Sequence, residues 1–132
     1  MPAATVSSGP QIIIIDDDRF VRDFAVHTIE FGINRAVATF ENGFHAWQYI
    51  QERPRHMDVI IADANIPEMS GLELLERIKT QYPQKNFIIT SSNPAHEKAA
   101  HQKGADAFLC KPYGVNDLFA VIEQFMLRPS AE

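Results

Sequence analysis

The chain is predicted to fold as an α/β domain, a parallel sheet covered by helices on both faces. Two features point there. Short apolar runs rich in β-branched residues alternate five times with stretches of helical period. The most sharply bounded runs also end abruptly on polar residues, at Asp16, Asp63, Thr90-Ser91 and Lys111. The composition agrees: 132 residues, 45% hydrophobic and 22% charged, make one domain with an ordinary core rather than a disordered chain.

Ile12 to Ile15 is a run of four β-branched residues, the pattern of a strand buried on both faces. Asp16, Asp17 and Asp18 follow, with Asp18 read as a helix cap. Phe20, Phe24, Thr28 and Phe31 then recur at helical spacing beside Val21, Ala25 and Ile29, and Gly32 marks the stop. Ala36 to Phe40 is the second strand, and Asn42-Gly43 a turn. Ala46, Trp47 and Ile50 line a second helix that ends before Pro54. Val59 to Ala62 is the third strand, stopped by Asp63, with Pro67 and Gly71 punctuating the loop after it.

Leu72, Leu75 and Ile78 line a third helix. The fourth strand begins at Phe87, and Pro94 is read as opening a short fourth helix that Gly104 terminates. Ala107 to Cys110 is the fifth strand, with Cys110 read as a small buried hydrophobe. Leu118, Val121, Ile122 and Phe125 line the last helix, for which Asn116 is the candidate cap. The expected organisation is a tail over 1–10, one domain over 11–128 and a tail over 129–132.

Charge and cysteine content narrow the function. Twelve basic against seventeen acidic residues give a formal charge of −5, contrary to the basic footprint of a nucleic-acid binder. One cysteine forms no internal disulfide, and no apolar run approaches the roughly 20 residues of a membrane span. The N-terminal stretch lacks the basic and apolar segments of a signal peptide. The expected location is cytoplasmic. The five histidines show no paired metal-ligand spacing.

In an open parallel sheet, functional groups gather beyond the carboxyl ends of the strands. That rule brings Asp16, Asp17, Asp63, Ser91 and Lys111 into one cleft. Each has an ordinary alternative as a cap, turn or surface residue, but their common position at strand ends favours a site. Three carboxylates repel one another, and a hard divalent ion and the Lys111 ammonium relieve that repulsion. Asp63 is the candidate nucleophile, able to form an aspartyl phosphate. Asp16 and Asp17, with Asp63 and the backbone carbonyl of Asn65, form the candidate Mg²⁺ site, which Mn²⁺ could also fill. Ser91 can donate its hydroxyl to a phosphoryl oxygen, and Lys111 supplies a compact positive charge.

The segments IIIIDDD, DVIIADANIPEMSG, FIITSS and GADAFLCKP resemble the receiver domain of two-component response regulators over roughly Gln11 to Leu127. The resemblance implies a flavodoxin-like doubly wound (βα)5 fold with strand order 2-1-3-4-5. It implies Asp63 as phosphoacceptor, Asp16 and Asp17 as the acidic metal pair, and Asn65 as the metal-binding carbonyl. It implies Ser91 as the switch hydroxyl, Lys111 as the lysine before a proline, and Phe108 as an aromatic that swings inward on activation. A cis bond between Lys111 and Pro112 is also implied.

The implied donor is a sensor histidine kinase or histidine phosphotransfer protein, with slow autodephosphorylation and a protein effector as output. The domain is expected to be a monomer or weak homodimer without direct contact to nucleic acid or membrane. Thr90 competes with Ser91 for the switch position, which Ser91 takes by its distance from Gly71. The stretch from Asn93 to Lys103 is about two residues shorter than usual for the family.

Three rival functions are weighed. A Mg²⁺-dependent phosphohydrolase with an Asp nucleophile would want a second acid two residues later, where Asn65 stands. A flavin mononucleotide module would meet three repelling acids after its first strand. A phosphorylation-silent interaction domain of receiver shape would have no use for the acidic pocket. The leading expectation is a signalling phosphoacceptor rather than a turnover enzyme.

Overall fold

A computed structural model of the chain describes residues 11–55 and 58–127. The two expected tails and His56 lie outside the described residues. The elements are β1 (Ile12–Ile15), α1 (Arg19–Gly32), β2 (Val37–Phe40), α2 (Gly43–Glu52), β3 (Val59–Asp63), α3 (Gly71–Gln81), β4 (Asn86–Ser91), α4 (His96–Gln102), β5 (Ala107–Cys110) and α5 (Val115–Ile122). A π-helical turn, Glu123–Leu127, continues α5.

All five strands are parallel, in the order β2-β1-β3-β4-β5. The strand order and doubly wound architecture are those expected from the resemblance. The four isoleucines of β1 are buried because β1 is an inner strand covered on both sides.

The strand period of two divides the core into two layers. Ile13, Ile15, Ile60, Ala62, Phe87 and Ile89 pack with buried residues of α2, α3 and α4. Ile12, Ile14, Val59, Ile61 and Ile88 pack with buried residues of α1 and α5. Helix α1 buries Ala25 and Ile29. Its phenylalanine stripe faces outward instead, with Phe20 at 84% and Phe31 at 87% exposure. Two small-to-medium side chains let α1 lie close to the sheet, so the larger rings at the same helical period remain outside.

Further local readings change. Cys110 is exposed, because it ends an edge strand with no neighbour on one side. Gly114, not Asn116, is the N-cap of α5, and the Asp117 carboxylate accepts the Gly114 N–H at 2.8 Å. Helix α4 does form, but it starts at His96 rather than at Pro94. Strands β2 and β4 each shift by one residue at their start, to Val37 and Asn86.

The loop after the candidate nucleophile is pinned by close backbone contacts. Gly71 donates its N–H to the Ala64 carbonyl at 3.0 Å. A Cβ on Gly71 would lie 2.0 Å from the carbonyl oxygen of Asp63, so only glycine lets α3 begin this close to the end of β3.

Candidate functional site

Asp16 and Asp63 become neighbours through the sheet register. Ile15 pairs with Ala62 across β1 and β3, so the next residues, Asp16 just past β1 and Asp63 at the end of β3, stand side by side at the carboxyl end of the sheet. Asp18 caps α1 by accepting the N–H groups of Phe20 and Val21, which turns the chain directly after the acidic pair. Arg22 donates to the Asp16 carbonyl at 2.7 Å and holds the same turn from one helical turn later.

Carboxylate oxygens of Asp16, Asp17 and Asp63 lie within 4.8 Å of one another. The Lys111 ammonium, from the end of β5, donates to Asp16 Oδ2 at 2.9 Å and to Asp63 Oδ2 at 2.5 Å. Asp63 Oδ1 accepts the Asn65 backbone N–H at 2.9 Å. Asp16 Oδ1 accepts the Asp18 N–H at 2.9 Å. The bond between Lys111 and Pro112 is cis.

The electrostatics are asymmetric. Burial pulls the Lys111 pKa down, but hydrogen bonds and charge from Asp63 and Asp16 outweigh it, and the pKa is pushed up to about 12. Burial raises the pKa of Asp16 against the opposing effects of the Asp18 N–H and Lys111. The two partners differ because the Asp16 side chain is 3% exposed and also faces the charge of Asp63, whereas Lys111 keeps 17% exposure. Tyr113, beside the pocket, is pushed up to about 12, by burial first and by the charge of Asp16 second.

Three ionised carboxylates against one ammonium leave two negative charges. A divalent cation with a preference for oxygen balances that deficit, so the donor set fits Mg²⁺. The clustering therefore agrees with the metal capacity expected for Asp16, Asp17 and Asp63.

Ser91 and Phe108 stand differently. Ser91 has the strand parity of Phe87 and Ile89, on the side of the sheet covered by α3 and α4. Its hydroxyl meets His96 Nδ1 at 2.7 Å and accepts the Asn93 N–H at 3.0 Å. Phe108, opposite Ile89 in β5, is half-buried against the same layer. Thr90, the competing hydroxyl, is buried with the opposite parity. Sequence reading missed Arg22 and His96 as neighbours of the site. Nothing in the sequence pattern pointed to His96, whose place depends on where α4 begins.

Among the described residues, no helix is long and apolar enough to cross a membrane. The family profile for the response regulator receiver domain matches residues 12–123. The DNA-binding transcriptional regulator NtrC of Escherichia coli (strain K12) is 30% identical over 113 residues, 84% of this chain and 24% of that protein. The NtrC of Proteus hauseri is 32% identical over 117 residues, 84% of this chain and 23% of that protein. The chain thus spans about a quarter of the length of these curated relatives. Among solved structures, the Vibrio cholerae chemotaxis protein CheY4 superposes with a TM-score of 0.79 at 24% identity, covering 90% of this chain and 100% of that one.

Proposed function

Because the chain belongs to the response regulator receiver domain family, we propose that it is a phosphorylation-driven switch whose acceptor is Asp63. The observation that carries this reading is the Asp63 carboxylate held by Lys111 at 2.5 Å beside Asp16 and Asp17. The donor in this reading is a phosphohistidine on a sensor histidine kinase or histidine phosphotransfer protein. Phe20, exposed at the start of α1, lies just beyond the acidic turn, on a surface that a protein donor would cover.

An oxygen of Asp63 attacks phosphorus in line, and a new O–P bond forms as the donor's N–P bond breaks. The electron pair of that bond leaves with the donor imidazole, which takes a proton from solvent. Asn65 N–H and Lys111 hold the carboxylate in a fixed orientation, so little is lost to reorganisation at the moment of attack. Mg²⁺ or Mn²⁺, held by Asp16, Asp17, Asp63 and the Asn65 carbonyl, would polarise a phosphoryl oxygen and offset its charge. Lys111 meets the charge that develops on the transferred group.

After transfer, the added charge and acceptor oxygens draw the Ser91 hydroxyl toward Asp63. Movement of Ser91 and a rotamer change of Phe108 alter the surface of β5 and its neighbouring helices, which is the output to a protein effector. Slow attack of water on the acyl phosphate resets the switch. Asn65, two residues after the nucleophile, offers no acid for rapid turnover, which supports a switch over a phosphohydrolase.

Intact-mass measurement after treatment with a small phosphodonor and Mg²⁺ tests the acceptor. Wild type should gain one phosphate and Asp63→Asn none. One phosphate retained on Asp63→Asn would overturn the assignment.

A further inference from the structure

Serine carries one hydroxyl hydrogen and two lone pairs. In this structure the Asn93 N–H takes up one lone pair of Ser91 Oγ, at 3.0 Å. His96 Nδ1 lies 2.7 Å from the same oxygen. A phosphoryl oxygen only accepts, so Ser91 can meet it only with that single hydrogen. Whatever holds the hydrogen in the resting protein competes with the phosphoryl group.

We infer that His96 is a positioning residue that holds the Ser91 hydroxyl hydrogen in the resting state, so that the phosphoryl group on Asp63 must take Ser91 away from His96. This rests on the function proposed above and deepens it. The assignment puts the imidazole hydrogen on Nε2, with Nδ1 as acceptor.

The placement of His96 follows from chain length. Only residues 92–95 connect β4 to α4, which sets the first residue of α4 against the last residue of β4. Ser91 has the strand parity of the layer under α3 and α4, so its hydroxyl faces that helix start. The loop is organised around the same contact. Asn93 Oδ1 accepts the Ala95 N–H at 3.0 Å, and the Asn93 carbonyl accepts the His96 N–H at 3.0 Å.

The latch is easy to release. His96 is half-buried, so water can replace Ser91 at Nδ1. Ala95, the residue before α4, offers no side-chain cap bond. Release of Ser91 therefore removes one of the few contacts fixing the start of α4, and phosphoryl occupancy is transmitted to the first turn of that helix.

The test uses beryllofluoride, a stable phosphoryl mimic, titrated with Mg²⁺ into the full chain and followed calorimetrically. His96→Ala should lower the half-saturating concentration about three- to tenfold, the worth of one hydrogen bond no longer competed for. His96→Asn, which keeps an acceptor one bond beyond Cγ, should bind like wild type. In a Ser91→Ala background, His96→Ala should change nothing.

The imidazole nitrogen shifts of resting wild type should show hydrogen on Nε2 and change on saturation. Unchanged or weaker binding by His96→Ala overturns the latch, as does the same gain persisting without the Ser91 hydroxyl, or hydrogen on Nδ1 at rest. If wild type itself binds no beryllofluoride, the proposed function fails, and the latch falls with it.

Discussion

Two largely buried lysines stand at opposite ends of the parallel sheet and have opposite electrostatic fates. Lys111 follows β5 at the carboxyl ends of the strands and donates to two carboxylates. Lys85 precedes β4 at the amino ends, where it is 8% exposed, donates to the Pro54 carbonyl and lies 5.7 Å from the Tyr82 ring centroid. Burial lowers the pKa of Lys85 and outweighs the opposing charge of Asp58. Burial acts on Lys111 too, but Asp63 and Asp16 reverse the outcome.

Depth alone therefore does not make a reactive cation. The carboxylates decide whether a buried lysine is a held charge or a tie between loops. Lys85 joins the segment after α2 to the start of β4 through a neutral acceptor. Lys111 joins three strand ends into a charged pocket that remains two negative charges in excess.

Removal of each ammonium should separate the two roles. Lys111→Met leaves nearly buried Asp16 and Asp63 without their counter-charge and should cost about 3 kcal/mol in urea unfolding without divalent ions. A loss as small as that of a surface substitution would show that the pocket does not depend on this lysine.

Mg²⁺ should stabilise wild type by about 2.7 kcal/mol at a hundredfold excess over its Kd, because it binds only the folded cluster. Asp17→Asn removes an exposed donor and should abolish most of that gain with little effect on the metal-free fold. A thermal melt that ignores Mg²⁺ in wild type would count against the metal site.

Lys85→Met should cost less than Lys111→Met, about 1–2 kcal/mol, since its loss also removes the penalty of burying a charge. Its pH dependence has a definite sign. The folded pKa lies below that of an ordinary lysine, so the unfolded chain holds more protons between the two, and wild-type stability rises with pH there. Relative to Lys85→Met, wild type should gain as pH rises toward the ordinary lysine value of about 10.4. A relative loss over that range would reverse the sign of the burial effect and break the comparison.

The fold was largely legible because its signals are local. Four consecutive isoleucines admit few environments other than an inner strand, and Asp63 or Lys111 marks where an apolar run ends. The acidic cluster was legible for the same reason: groups at the carboxyl ends of parallel strands converge whatever their separation in sequence. The strand order came from the resemblance to a family, since periodicity carries no information on which strand lies beside which.

Tertiary structure alone decided the rest. The helical period of α1 permits either the phenylalanine stripe or Ala25 and Ile29 to face the sheet, and close approach selected the smaller pair. Cys110 is exposed because its strand is an edge, a property of neighbours rather than of residues. The meeting of Ser91 with His96 depends on strand parity, loop length and helix placement together. Along the chain, burial and strand ends are written in short-range patterns. Pairings across the fold are chosen by packing, which weighs all the elements at once.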